Sequence, residues 1–183
     1  MPRPAPERQP RLRVALPAMR YQVRERLFSI KDDFWVTDQD GNRAFFVNAK
    51  LLSLRHTLEL QDASGSNLAE IKNKLLTFTD AMEVEHDGAV VATVHKAVFS
   101  PLHHRAVIDV ADGRRLEAVG NIVDKDFEIR DGDQVVAQVS RAWFHVRDTY
   151  GVDVAPGEDD VLMICIAVCL DRIHSEEEEQ RDR

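Results

Sequence analysis

Cations set at alternate positions along apolar-patterned stretches are the residues of this 183-residue chain with the clearest chemical potential. Arg24 and Arg26 share one face of an extended segment, and so do Lys72 and Lys74, because strand side chains two apart point the same way. Lys50 and Arg55 stand at a strand end, while Lys96 and Arg141 take matching places in a repeated segment. Brought together, such groups hold phosphate or carboxylate through charge-assisted hydrogen bonds. Spread over exposed strand faces, they only solubilise the surface or guard a sheet edge. These residues form the candidate anion-binding or lipid-binding set, and their convergence is left to the fold.

Other constellations point away from catalysis. Asp38, Asp40 and Asn42 offer oxygens at alternate positions around Gly41, but the glutamate of a calcium loop is absent, since position 12 counted from Asp38 is Ala49. A tight Asp-Gly turn explains them better. Asp124, Asp126, Asp131 and Asp133 flank a strand and read as turn residues too, with no base or nucleophile beside them. His103 and His104 are adjacent next to Pro101, and no two histidines have the i,i+4 spacing of a helical metal pair. His95 stands where the repeat has Ser140, as an ordinary strand residue would. No nucleophile elbow, phosphate loop, dinucleotide fingerprint or zinc motif is present. No catalytic residue, metal ligand or cofactor is expected, and the chain reads as a non-enzyme.

The elements that must position the cations are strands. From Tyr21 to Val154 short apolar-alternating stretches recur between turn signals. Tyr21 and Val23, then Leu27, Phe28 and Ile30, open the series. Phe34–Thr37 turns at Asp40-Gly41 into Ala44–Val47; Leu58 and Leu60 turn at Ser64-Gly65 into Leu68 and Ile71. Met82–Glu85 turns at Asp87-Gly88 into Val90–Val94, Val107–Val110 at Asp112-Gly113 into Leu116–Val119, and Phe127–Arg130 at Asp131-Gly132 into Val135–Val139. Tyr150–Val154 is the last strand before Pro156-Gly157. Trp35 and Trp143 fall within strand patterns as core or wall residues.

The series also repeats itself. Met82–Phe99 aligns without gaps on Phe127–Phe144, 45 positions on, and Leu68–Asn73 on Leu116–Asn121, 48 positions on. About three extra residues therefore lie near Lys74–Thr79 in the first unit. Phe34–Val47 resembles a partial third copy. Repeated meanders of this kind close into a sheet without free edges.

One segment departs from this pattern. Val161–Leu170, V-L-M-I-C-I-A-V-C-L, has no polar face, and Asp159 and Asp160 precede it. A helix that is apolar all round is buried all round. Ten such residues span only about 15 Å, half a bilayer core, so it is a poor membrane segment. Residues from about 159 to 174 are predicted to form a helix that the closed sheet encloses. Cys165 and Cys169, the two cysteines, lie one turn apart inside it and read as reduced core residues, which suits a cytoplasmic protein, at most peripheral at a membrane.

With 44% hydrophobic residues, the chain is long enough for one domain with a substantial core. A formal charge of -8 argues against nucleic-acid partners but permits a local basic patch. Residues 1–18, with five of the seven prolines and several arginines, read as a disordered arm. Met19 is a second candidate start, since the patterned sequence begins at Tyr21. Residues 175–183, SEEEEQRDR, read as an acidic disordered tail. The expected domain is therefore 19–174.

The opening YQVRERLFSIKDDFWVTDQDGNRAFFVNAKLLSLRHTLELQDASGSNLAEIKNK, the repeated VVAxVxxAxF segments and the closing apolar helix resemble the LURP-one-related proteins, over roughly Met19 to Ile173. The shared features are aromatic strands, D-x-x-G turns and a lysine-rich strand end, so they speak to fold more than to activity. The resemblance implies a tubby C-terminal-like fold: a closed antiparallel barrel of about twelve strands around a central hydrophobic helix. In that superfamily tubby domains bind phosphoinositide headgroups at a basic patch, and phospholipid scramblases are predicted relatives. Fold alone does not transfer either activity. The expected function is a non-enzymatic binding or scaffold module, its ligand an anionic phospholipid headgroup or a protein partner. Rival readings are a scramblase-like membrane protein and an enzyme acting at the barrel mouth. Sequence leaves the oligomeric state open.

Overall fold

In the first strand, β1 (Met19–Arg24), Tyr21 and Val23 turn inward and are buried, while Arg20 points outward. The computed structural model describes residues 18–24, 33–50, 57–73, 81–95, 105–143 and 149–181. After β1 come β2 (Phe34–Asp38), β3 (Arg43–Lys50), β4 (Thr57–Asp62), β5 (Asn67–Asn73) and β6 (Ala81–His86). Then follow β7 (Ala89–His95), β8 (Arg105–Val110), β9 (Arg115–Asn121), β10 (Asp126–Asp131), β11 (Gln134–Ser140) and β12 (Thr149–Val154). Helix α1 (Asp160–Arg181) follows β12 and is the one helix among the described residues. Each strand pairs antiparallel with its sequence neighbours, and β1 pairs with β12, so the sheet closes into the expected barrel of twelve strands.

The internal repeat is a repeat of structure. Strands β4 and β5 lie 48 positions before β8 and β9, and β6 and β7 lie 45 positions before β10 and β11. One irregularity matches as well: β6 bulges between Val84 and Glu85, and β10 between Ile129 and Arg130, at the equivalent place. The three additional residues fall between β5 and β6, in 74–80, which lie outside the described residues. Three hairpins share one turn. Gly41 N–H donates to Asp38 C=O, Gly65 to Asp62 and Gly113 to Val110, at 3.0–3.1 Å. At the first of these, Asp38 Oδ1 accepts from the backbone N–H groups of Asp40 and Asn42, at 2.9 and 2.8 Å. The carboxylate is thus a turn cap, and hydrogen bonds from Asn42 hold Asp38 below its ordinary pKa.

Every strand contributes an aliphatic residue to the buried interior: Val23, Val36, Val47, Leu60, Ile71 and Val84 in the first half, Val94, Ile108, Leu116, Ile129, Val139 and Val152 in the second. Inside this lining runs the helix, with Leu162 through Leu170 all buried. Each large aliphatic side chain so enclosed contributes about 1.5–3 kcal/mol of apolar burial. Asp159 caps the helix: its Oδ1 accepts from Leu162 N–H at 3.1 Å. The helix does not end near residue 174. It continues to Arg181, so part of the segment expected to be disordered is helical. Glutamate and glutamine are good helix formers, and a turn already ordered in the barrel removes the nucleation cost.

The barrel has two chemically different ends. At the turn end lie the hairpin turns after β2, β4, β6, β8 and β10, together with the β12–α1 connection. Their charged residues are Asp40, Asp87, Asp112, Asp133, Glu158 and Asp159 against Arg114. The far end receives the other strand ends and the exit of the helix. The direction of α1 is set by two contacts. Asp160 hydrogen-bonds Tyr21 near the turn end, and Asp171 is ion-paired with Lys125 of the β9–β10 turn at the far end.

Candidate anion-binding end of the barrel

Strand direction decides where the predicted cations lie. Strands β1, β3, β5, β7 and β11 all run from the turn end to the far end, so Arg24, Lys50 and Arg141 stand where these strands finish. In register, Arg24 faces Thr149 and Lys50 faces Thr57. Arg141 is exposed, and its backbone N–H donates to the Lys125 carbonyl at 3.0 Å. Arg26, Arg55, Lys74 and Lys96 lie outside the described residues. His103 and His104 lie outside the described residues as well.

Lys72 is paired on both sides. It lies on the outer wall, its ammonium 2.7 Å from Glu70 and 2.6 Å from Glu85. Hydrogen bonds to those two carboxylates raise its pKa. The rest of the described wall shows the same neutralisation. Arg20 makes a bidentate pair with Asp153, at 2.6 and 2.7 Å, and its guanidinium lies 4.4 Å from the Trp143 ring centroid. Arg105 pairs with Glu117, and Arg130 with Glu128 at 2.6 Å. At the turn end Arg114 bridges Glu158 and Asp112, at 2.8 and 2.7 Å, which ties the β8–β9 turn to the entry of the helix. Along this wall, then, cations are matched by carboxylates. Trp35 is also a wall residue, its ring 4.8 Å from Phe46 and covered by Arg43 at 4.7 Å.

Sequence reading missed one feature of the far end. Lys125 and Asp171 form a buried ion pair, with side chains 5% and 1% exposed. The residue carrying the ammonium has φ +55°, a left-handed conformation that suits a tight turn. One signal was present: Asp171 follows directly on ten apolar residues, and a carboxylate there needs a partner if the helix continues. Which lysine supplies it is a matter of three-dimensional closure. Among the described residues, no group of three or more His, Cys, Asp and Glu side chains is arranged to hold a metal ion.

A family model described as LURP-one-related matches residues 19–171. The chain is 30% identical over 159 residues to the uncharacterized protein YxjI of Bacillus subtilis (strain 168), covering 86% of this chain and 95% of that one. It is 24% identical over 158 residues to Protein LURP1 of Arabidopsis thaliana, covering 75% of each. The barrel is similar to the X-ray structure of an Arabidopsis thaliana protein, with TM-score 0.64 and 20% identity over 86% of this chain and 91% of that one. At that identity the likeness concerns the fold.

Proposed function

This chain belongs to the LURP-one-related family, and from that premise we propose that it is a non-enzymatic binding module that engages anionic phospholipid headgroups with the far end of its barrel. The observation that carries this reading is the separation of charge between the two ends. The turn end is acidic. At the far end β1, β3 and β11 finish at Arg24, Lys50 and Arg141, and the sequence segments that follow β1, β3, β5 and β7 carry Arg26, Arg55, Lys74 and Lys96.

The composition of those segments supports a membrane surface. They read R-L-F-S-I-K, L-L-S-L-R-H, K-L-L-T-F and K-A-V-F, mixing aromatic and aliphatic residues with cations. Such mixtures favour the boundary between headgroups and acyl chains, where each basic residue near an anionic leaflet contributes on the order of 1 kcal/mol. Peripheral engagement suits the barrel better than insertion, because its outer wall carries Arg20, Glu70, Lys72, Glu85, Glu117 and Glu128. Charges on a lipid-facing strand are costly. No helix among the described residues is long and apolar enough to cross a membrane.

The test is co-sedimentation with neutral vesicles and with vesicles containing phosphatidylserine or a phosphoinositide. The wild-type chain is expected to bind the anionic vesicles and to lose them as salt rises. Arg24→Glu with Lys50→Glu is expected to abolish binding while leaving the melting temperature unchanged. Equal behaviour on neutral and anionic vesicles would overturn the lipid reading and turn the search to a protein partner.

A further inference from the structure

Four adjacent strands, β12, β1, β2 and β3, make a flank of the outer wall that differs from the rest. Phe34, Val36 and Val47 turn inward and are buried, so alternation sends Trp35 and Phe46 outward. There the two rings meet across β2 and β3, with centroids 4.8 Å apart. Arg43 lies over Trp35, 4.7 Å from its ring centroid. Trp143, just past the end of β11, reaches across β12 to Arg20 of β1. All three aromatic side chains are partly exposed, and both tryptophans of the chain are among them.

Charge sets the flank apart as well. The carboxylates of these four strands are Asp38, which caps its own turn, and Asp153, which Arg20 holds. By contrast β5, β6, β8, β9 and β10 carry Glu70, Glu85, Asp109, Glu117 and Glu128. Arg43 is exposed, and no carboxylate among the described residues pairs with it. The flank also runs into the far end. Strands β1 and β3 finish there, at Arg24 and Lys50, and Trp35 stands one position from the far-end start of β2.

We propose that this flank is a lipid-contacting face, so that the barrel lies tilted on an anionic membrane surface with Trp35, Phe46 and Trp143 at the level of the headgroups. The inference rests on the reading of the far end as the headgroup-binding face, which it extends along the wall. Indole rings favour that level, because the ring body is apolar while its N–H stays wet. An arginine stacked on an indole keeps its N–H edge for phosphate oxygens, and its stem covers apolar surface. A flank poor in carboxylates meets little repulsion from an anionic leaflet.

The experiment reads the tryptophans of the full chain on phosphatidylcholine vesicles with and without phosphatidylserine, using brominated acyl chains as the quencher. Emission is expected to shift to the blue and to lose intensity on the anionic vesicles, and to do neither on the neutral ones. Trp143→Phe leaves Trp35 as the sole tryptophan, and its emission should still be quenched. Arg43→Gln should raise the lipid needed for half-binding about fivefold, the scale of one basic residue at an anionic leaflet, with an unchanged melting temperature. Quenching of Trp35 together with this weakening supports the tilted contact. Vesicle binding with unchanged emission overturns the flank contact, leaves headgroup binding by the far end standing, and turns the search for the flank's occupant to a protein. Binding by Arg43→Gln equal to wild type overturns the part given to Arg43. Absence of binding to anionic vesicles by the wild type overturns the headgroup reading and this inference with it.

Discussion

Lys125 reaches inward from the β9–β10 turn to pair with Asp171 on the central helix, and both side chains are almost fully removed from solvent. The pair joins wall and plug at one end of the barrel, as Tyr21 and Asp160 do at the other. Burial pushes the Tyr21 phenol well above its ordinary pKa, with Asp160 adding to the effect. The Asp160 carboxyl is raised by burial too. Wall and helix are thus held in register by polar contacts at both ends and by apolar packing between them.

Breaking the pair from one side strands a buried charge. Lys125→Met or Asp171→Leu is expected to cost about 3–5 kcal/mol, while the double variant recovers most of that loss. Urea unfolding of the three variants checks this through the coupling energy.

Gly120 occupies a position that no side chain fits. Its φ is +134°, and a Cβ there would lie 2.8 Å from the Asp126 carbonyl oxygen and 2.8 Å from Phe127 Cα, both backbone atoms. Gly120→Ala is expected to lose at least about 1–3 kcal/mol through strain alone. Gly41→Ala, where φ is +81° with nothing within 4 Å, should cost only about 1–2 kcal/mol. Thermal melts of the two variants give the comparison.

Ile166 is fully buried on the helix. Ile166→Asp places a carboxylate where water cannot follow, at a cost of several kcal/mol against a net stability of about 5–15 kcal/mol. Loss of soluble expression is expected. A soluble variant with an unchanged melt would contradict the enclosure of the helix.

The two thiols report on the same enclosure. Burial pushes Cys165 up to about 12, with Asp159 contributing, and raises Cys169 well above its ordinary value. The folded chain therefore keeps thiol protons that the unfolded chain has released. Stability should fall as pH rises from the ordinary thiol value of about 8.5 towards 12. At pH 8, alkylation by iodoacetamide should proceed only as fast as the barrel unfolds; rapid labelling of the native protein would show that the interior opens locally.

Lys72 separates wall charge from far-end charge. Held by Glu70 and Glu85, it has little to offer a ligand. Lys72→Met is expected to leave vesicle binding within about twofold of wild type and to change stability by no more than about 1 kcal/mol. A loss of binding equal to that of Arg24→Glu with Lys50→Glu would restore Lys72 to the binding set.

Much of the architecture could be read from one dimension, because its signals are local. Strand after strand follows from alternation and from Asp-Gly and Ser-Gly turns, and the shifts of 45 and 48 positions recur in the strand bounds and in a shared bulge. The enclosed helix follows from ten residues without a polar face. Its continuation to Arg181 was missed, since a charged run by itself looks solvated and only a helix already nucleated in the barrel extends through it.

The amino-acid sequence alone determined which residues are apolar, where the chain turns, and that a closed sheet surrounds a helix. Only the tertiary structure decided which charges share a neighbourhood. Closure through β1 and β12 and the common direction of alternate strands bring Arg24, Lys50 and Arg141 to one end, place Lys72 between two glutamates, and set Lys125 against Asp171. Turn and strand patterns act over a few residues, whereas charge pairing acts across strands far apart in sequence. It becomes defined once the barrel closes.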